Sequence, residues 1–336
     1  MFVPSRVLFR EEALHYELGS ELLKRFREEG IETRIIEKGP LAPTRGQFSI
    51  AQQYLTAKRT LLVAVRKELK FQTCKPSADY QLPLVTSCPG LCEYCYLQTT
   101  LGPRPYVTVY VNVEEILARA DHYIKQHQPR HTTFEAGAVG DPLPVEPYTA
   151  GLAKAISFFA AHQLGALRVA TKFDDISSLL DLNHGGRTHI RFSVSPPDIV
   201  RRFERGTPDL QHRLRAARAL AERGYPIGLI VAPIFLYPGW DKDYDELARL
   251  IASEIREIPL TLEFISHRFT ARAKALILAR SPGTALPMNE EDRVIRRGQF
   301  GYRKYVYPAA AVTDLKKRLT ETFLRHLPTA TVEYFV

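Results

Sequence analysis

Strand-like and helix-like stretches alternate through most of this chain, and no other feature restricts its fold as strongly. Six runs read as strands: Leu82–Ser87, Thr132–Ala136, Leu167–Thr171, Thr188–Val194, Ile227–Pro233 and Leu260–Ile265. Helical periodicity fills most of the gaps between them. Asn112 can cap a helix with Ile116, Ala120, Tyr123 and Ile124 on one face. Asp209 can open a second, running through Leu210, Leu214, Ala217 and Leu220 to Gly224. Asp241 can open a third, with Tyr244, Leu247, Ala248 and Ile251 facing inward. Parallel strands need long crossovers, so repeated β-α units imply a parallel sheet with helices outside it. The expectation is an α/β fold, a partial TIM-like (β/α)6 barrel, with its chemistry at the C-terminal strand ends.

Ahead of these repeats, Leu22, Leu23 and Phe26 form a helical stripe that stops at Gly30, and Thr60–Val65 reads as a buried strand. A Pro/Gly/Thr-rich stretch from Gly39 to Gly46 reads as the loop between them. Three regions are expected: an N-terminal α/β extension over 1–80, the barrel over 81–270, and a C-terminal region over 271–336.

Cys88, Cys92 and Cys95 crowd into "TSCPGLCEYCYLQTTLG", immediately after the first expected barrel strand. Only one other cysteine, Cys74, exists in the 336 residues. Three thiols this close cannot build a disulfide framework and suit metal ligation in a reducing compartment. The chain has no apolar run long enough to span a bilayer, and a cytoplasmic location is expected. Structural zinc prefers four protein ligands, which here would require a histidine such as His127 or His131. A four-iron cluster on three cysteines leaves one iron open to an exogenous ligand.

That spacing, with an aromatic before the third cysteine, resembles the motif of the radical S-adenosylmethionine (radical SAM) superfamily. Other segments sharpen the likeness. "KPSADYQLPL", "YVTVYVN", "FEAGAVGDP", "VATKFDD", "IRFSVS", "VAPIFLYPGW", "HRFTARAK" and "GYRKYVY" together resemble the spore photoproduct lyase family. The resemblance implies a [4Fe-4S] cluster on Cys88, Cys92 and Cys95, with S-adenosyl-L-methionine chelating the open iron. It implies double-stranded DNA carrying a thymine dimer as partner, and an electron donor such as flavodoxin or ferredoxin. The reaction implied is reversal of the dimer to two thymines by a 5′-deoxyadenosyl radical. Tyr94 and Tyr96 match a tyrosine pair that relays hydrogen, Tyr94 also matching an adenine contact. Gly140, Asp141, Lys172, Ser193 and Ala232 match cofactor-binding positions at successive strand ends. The alternatives are a radical SAM enzyme for another nucleic-acid lesion and a zinc-stabilised DNA-binding protein without catalysis.

Two positions depart from the family pattern. Where a cysteine gives hydrogen to the product radical, this chain has Ala138, whose C–H bonds are too strong for the task; two residues on, Gly140 replaces a serine. Cys74 stands in "FQTCKPSADY", where serine is expected, and is the candidate substitute donor, with direct donation from Tyr94 or Tyr96 as the other route.

The net charge of +9 favours a polyanionic partner. No acidic residue occurs from Arg293 to Thr313, where Arg296, Arg297, Arg303 and Lys304 mingle with Phe300, Tyr302, Tyr305 and Tyr307. The alternation in "YRKYVY", with Gly298 and Gly301 before it, reads as a β-hairpin suited to phosphates and to an unstacked lesion.

Overall fold

The computed structural model describes residues 2–37, 48–102, 104–298 and 301–336. The loop expected over Gly39–Gly46 lies outside them. In chain order the strands are β1 (Arg6–Arg10), β2 (Glu32–Ile36), β3 (Thr60–Ala64), β4 (Thr73–Cys74), β5 (Ala78–Gln81), β6 (Val85–Thr86), β7 (Val107–Tyr110), β8 (Thr132–Glu135), β9 (Gly165–Thr171), β10 (Thr188–Val194), β11 (Ile227–Ile234), β12 (Leu260–Ser266), β13 (Val294–Arg297), β14 (Arg303–Val306) and β15 (Thr331–Phe335).

The larger sheet has the order β15-β12-β11-β10-β9-β8-β5-β4. From β5 to β15 every pairing is parallel, and β4 closes the near edge antiparallel. This curled half-barrel of α/β type is the architecture the alternation implies. Period two divides its strands. Ile190, Phe192, Leu229, Leu262 and Phe264 are buried under the surrounding helices. Their alternate neighbours, among them Arg191, Ser193 and Glu263, turn to the inner face. The helices Val113–His127, Leu210–Glu222 and Trp240–Ile255 bury the stripes read from the sequence, including Ile116, Leu214, Leu220, Leu247 and Ile251. Each such side chain contributes about 1.5–3 kcal/mol when removed from water.

Local details depart from the sequence reading. Within Leu82–Ser87 only Val85–Thr86 is strand, and it pairs antiparallel with β7 in the smaller sheet, β2-β1-β3-β7-β6. Pro83 offers no N–H to a ladder, and Ser87 adopts φ 66°, so the run breaks at both ends. The first barrel strand is instead β5, and "YVTVYVN" belongs to the smaller sheet, which takes strands from both sides of residue 80. Asn112 does not cap its helix through its side chain; its amide bonds the Arg66 backbone N–H at 2.8 Å and carbonyl at 3.0 Å. The Asp241 helix begins one residue earlier, after Gly239 in the left-handed region. Asp209 caps as read, accepting from the His212 backbone N–H at 2.9 Å. Among the described residues no helix is long and apolar enough to cross a membrane.

Candidate active site at the strand ends

The cysteine loop leaves β6 and is fastened on two sides. The Ser87 N–H donates to the Val139 carbonyl at 2.8 Å, and Ser87 bridges Gly140 as a parallel partner. Gly140 must be bare: a Cβ there would lie 2.5 Å from the Ser87 carbonyl oxygen and 2.8 Å from Val85 Cγ2. Farther along, the Leu91 N–H donates to the Arg205 carbonyl at 2.7 Å and the Glu93 N–H to that of Phe203 at 2.9 Å. Gln98 Nε2 closes the loop on the Cys92 and Glu93 carbonyls at 3.2 and 2.6 Å.

Two of the three thiols flank Gly90, whose missing Cβ would stand 3.6 Å from Cys88 Sγ and 3.9 Å from Cys92 Sγ. Burial, opposed by Lys58 and joined by negative charge on Cys95, brings the Cys88 thiol up to about 11, and burial with the negative charge of Glu204 raises Cys92 higher still. Ligation requires thiolates, so a bound cationic centre would have to reverse that preference. Among the described residues no three His, Cys, Asp or Glu side chains close on a single ion. His127 lies elsewhere, stacked on Tyr80 at 5.6 Å and in contact with Thr132. Three cysteines on one loop, with His127 held away from them, are one protein ligand short of a structural zinc site.

Next to this loop a buried carboxylate organises the site. Glu204 has a fully buried side chain and pairs with Arg213 at 2.6 Å and Lys172 at 3.2 Å. It also accepts from the Ser195 hydroxyl at 3.1 Å and from the Tyr94 hydroxyl. Burial alone would raise its pKa, but the two cations outweigh it and hold the carboxyl down to about 2. Lys172 Nζ also donates to Ser193 Oγ at 2.6 Å, and Ser193 Oγ lies 3.4 Å from the Ala232 carbonyl. Strand ends β9, β10 and β11 are thereby linked. Asp141 sits at the neighbouring end: it accepts from Thr171 Oγ1 at 2.9 Å, the Lys172 N–H at 3.0 Å and the Leu143 N–H at 3.2 Å. Desolvation nonetheless raises its carboxyl to about 6. Its side chain is saturated within the protein.

The two tyrosines diverge. Tyr94 points inward, its ring 5.9 Å from Phe235 and 5.8 Å from the Lys172 ammonium. Tyr96 is 59% exposed, and its hydroxyl donates to the Ala138 carbonyl. Cys74, half-buried in β4, lies within electrostatic reach of the Tyr96 hydroxyl on one side and of Arg191, Arg168 and Glu263 on the other. It pairs with Ala78 at the start of β5. Burial raises its thiol to about 11.

Above the rim, β13 and β14 form the expected hairpin, closed by the Gly298 N–H on the Tyr302 carbonyl at 2.7 Å. Phe300 at its turn is outside the described residues. Its register sets Arg296 opposite Lys304 and Arg297 opposite Arg303. Like charges directly across a ladder are unfavourable. Tyr302 is 50% exposed and within electrostatic reach of Tyr96. Tyr305 is committed: its ring stacks on Phe269 at 5.1 Å, its backbone bridges Phe269, and its hydroxyl bonds Glu290.

The sequence profile described as "SPL: Spore photoproduct lyase" matches residues 2–336. The chain belongs to the spore photoproduct lyase family. Its members are enzymes that repair the spore photoproduct. The lyase of Clostridium acetobutylicum is 42% identical over 331 residues, covering 98% of each chain. That of Bacillus subtilis is 41% identical over 338 residues, covering 99% of this chain and 98% of its own. Among solved structures, a spore photoproduct lyase with cysteine-to-alanine and serine-to-cysteine substitutions, with bound AdoMet and dinucleoside spore photoproduct, superposes with a TM-score of 0.96 at 42% identity. The alignment spans 100% of this chain and 99% of that one. A lyase complexed with dinucleoside spore photoproduct gives the same score and the same coverage at 41% identity.

For a spore photoproduct lyase, sequence reasoning overlooked the residue that ties the site together. Glu204, in "FERG", carries no motif, and its meaning arises only when Lys172, Arg213 and Tyr94 converge on it. Arg213 was legible as a helix residue but not as one that points beneath the barrel rim.

Proposed function

We propose that this chain reverses the spore photoproduct in DNA to two thymines, with Cys74 taking over the hydrogen donation that Ala138 cannot perform. Cys88, Cys92 and Cys95 would hold a [4Fe-4S] cluster, and the tethered loop around Gly90 suits it. With S-adenosyl-L-methionine on the open iron, that cluster supplies a hydrogen-abstracting 5′-deoxyadenosyl radical fed by a one-electron donor such as flavodoxin or ferredoxin. Lys172, turned toward Ser193, is the cation available to a cofactor carboxylate, and Tyr94 offers its ring face with the hydroxyl anchored on Glu204. Gly140, Asp141 and Ala232 contribute backbone at adjoining strand ends.

What supports the donor reading is that the Tyr96 hydroxyl donates to the Ala138 carbonyl and lies within electrostatic reach of Cys74. A raised thiol pKa keeps Cys74 as S–H near neutrality, the form that gives up a hydrogen atom. Donation to a thymine radical would leave a thiyl; Tyr96 O–H would restore the thiol, and the resulting tyrosyl radical would regain its hydrogen from 5′-deoxyadenosine, closing the cycle. A solved lyase mutant carries the same two kinds of exchange, a cysteine to alanine and a serine to cysteine. The hairpin, with its facing cations and exposed Tyr302, is the surface for double-stranded DNA.

The test is anaerobic incubation of the iron-loaded protein with S-adenosyl-L-methionine, reductant and dinucleoside spore photoproduct. Two clean thymines and about four irons per chain are expected. A colourless, zinc-containing protein or an untouched lesion would sink the reading.

A further inference from the structure

Two cations, the buried Lys58 and the half-buried Arg280, lie against the ring of Tyr54 near the cysteine loop. The Lys58 ammonium lies 5.6 Å from the centre of its ring and the Arg280 guanidinium 4.1 Å. Lys58 ends the helix Ile50–Lys58, outside the barrel, and is 1% exposed. Its Nζ donates to the Cys88 carbonyl at 2.6 Å and approaches Ser87 Oγ at 3.4 Å. Both acceptors are neutral, and among the described residues no carboxylate closes on this ammonium. Arg280 ends the helix Ala271–Arg280. Its Nη1 donates to Gln98 Oε1 at 2.6 Å, while its buried Nε and Nη2 have no hydrogen-bond partner. Lys58 lies within electrostatic reach of Cys88, and Arg280 of Cys95.

Buried cations without counter-charge are costly, and buried charges are ordinarily paired. The buried Lys58 and the half-buried Arg280, whose Nε and Nη2 are shielded and unpartnered, both reach one loop, and that loop carries three groups able to become thiolates. We infer that Lys58 and Arg280, both set against the Tyr54 ring, are the charge partners of the anionic group held by Cys88, Cys92 and Cys95, and that they raise its reduction potential. The inference rests on the iron-sulfur reading above. Reduction adds one negative charge to a group already ligated by three thiolates, in surroundings of low dielectric. A fixed cation nearby therefore favours the reduced state, net charge and burial being among the quantities that set such potentials. Both residues act through the loop and the field; they are positioning residues. The arrangement also gives the N-terminal region a part in the chemistry, because Lys58 reaches the site from outside the barrel.

The experiment is a redox titration of the full-length, anaerobically reconstituted protein without S-adenosyl-L-methionine, following the reduced cluster by electron paramagnetic resonance. Lys58→Met and Arg280→Gln should each shift the midpoint potential downward, whereas Lys58→Arg and Arg280→Lys should stay near the parent. Unchanged potentials in the two neutral variants overturn the inference, as do equal shifts in the charge-keeping pair, which would assign the effect to packing. Should Lys58→Met fail to load iron, Arg280→Gln, which touches no loop carbonyl, decides the matter alone. A parent protein that holds no four-iron cluster overturns the underlying reading, and that failure is visible before any substitution is made.

Discussion

The Tyr94 hydroxyl donates to Glu204, a carboxylate 110 residues farther along the chain. One buried acid thus fixes an aromatic on the cysteine loop, the ammonium of Lys172 and the guanidinium of Arg213. Arg213→Met would leave Glu204 short of a cation in a place without water, at a cost of about 3–5 kcal/mol. Urea unfolding of the variant against the parent measures it. Cofactor affinity should fall as well, because Lys172 would then neutralise Glu204 alone.

The two site carboxylates predict opposite pH dependences. Glu204 is held down to about 2 in the fold, against an ordinary 4.5. Its contribution to stability is therefore complete above about 4.5 and lost as pH falls toward 2. Asp141 is raised to about 6 from 3.8, so the fold binds its proton more tightly than the unfolded chain does. Its contribution is complete below about 3.8 and declines as pH rises to 6. Melting temperature against pH should accordingly lose its acid-side fall in Glu204→Gln and gain relative stability above pH 6 in Asp141→Asn. Parallel profiles for both variants and the parent would contradict the assignment.

Gly140→Ala tests the fastening of the cysteine loop. The added methyl would meet the Ser87 carbonyl at 2.5 Å and Val85 at 2.8 Å, both in the stem of that loop. About 1–3 kcal/mol of destabilisation is expected from such overpacking, with reduced iron content after reconstitution. Full iron loading in a destabilised variant would separate the packing role from the loop.

Strands whose two faces differ were easiest to read from sequence. Thr188–Val194 alternates because Ile190 and Phe192 meet helices while Arg191 and Ser193 meet the inner network, and the structure returns the same limits. Leu82–Ser87 misled because its apolar content is that of a strand, while the interruptions at Pro83 and Ser87 act through single backbone positions. β15 went unread: a short terminal run gains its identity only by parallel pairing with β12. Charge clusters that assemble from distant elements were the least legible. Lys58 and Glu204 look like ordinary surface residues in one dimension and are 1% exposed in three.

In the hairpin, the facing pairs Arg296–Lys304 and Arg297–Arg303 predict a phosphate requirement. Arg303→Gln with Lys304→Gln should weaken damaged and undamaged duplex alike and flatten the salt dependence by about two charges' worth of slope. Tyr302 and Tyr305 should behave differently. Tyr302→Ala, at an exposed ring, should lower the preference for the lesion with little change in plain-duplex binding. Tyr305→Ala removes the stack on Phe269 and should loosen the hairpin itself, read as faster proteolysis there and weaker binding to all DNA. Identical effects from the two tyrosines would refute this division.

The last prediction concerns the hydrogen donor. Once the methylene bridge of the lesion breaks, the product thymine radical needs a weak X–H bond within reach, and Ala138 has none. Cys74 is the only thiol outside the cysteine loop, and it lies within electrostatic reach of Tyr96, whose hydroxyl donates to the Ala138 carbonyl. Cys74→Ala should still cleave S-adenosyl-L-methionine and still open the dimer, yet give trapped adducts or slow, incomplete repair. Tyr96→Phe should differ in kind: the thiol can serve once, so product appears as a burst near one equivalent and then stalls. Because the Cys74 thiol titrates at about 11 in the fold, against an ordinary 9.0, repair should hold its rate through pH 9, where an unperturbed donor would be half thiolate and unable to give a hydrogen atom. Should Cys74→Ala release two thymines at the parental rate, donation belongs to Tyr96 directly, and the double variant would then be the one that stops.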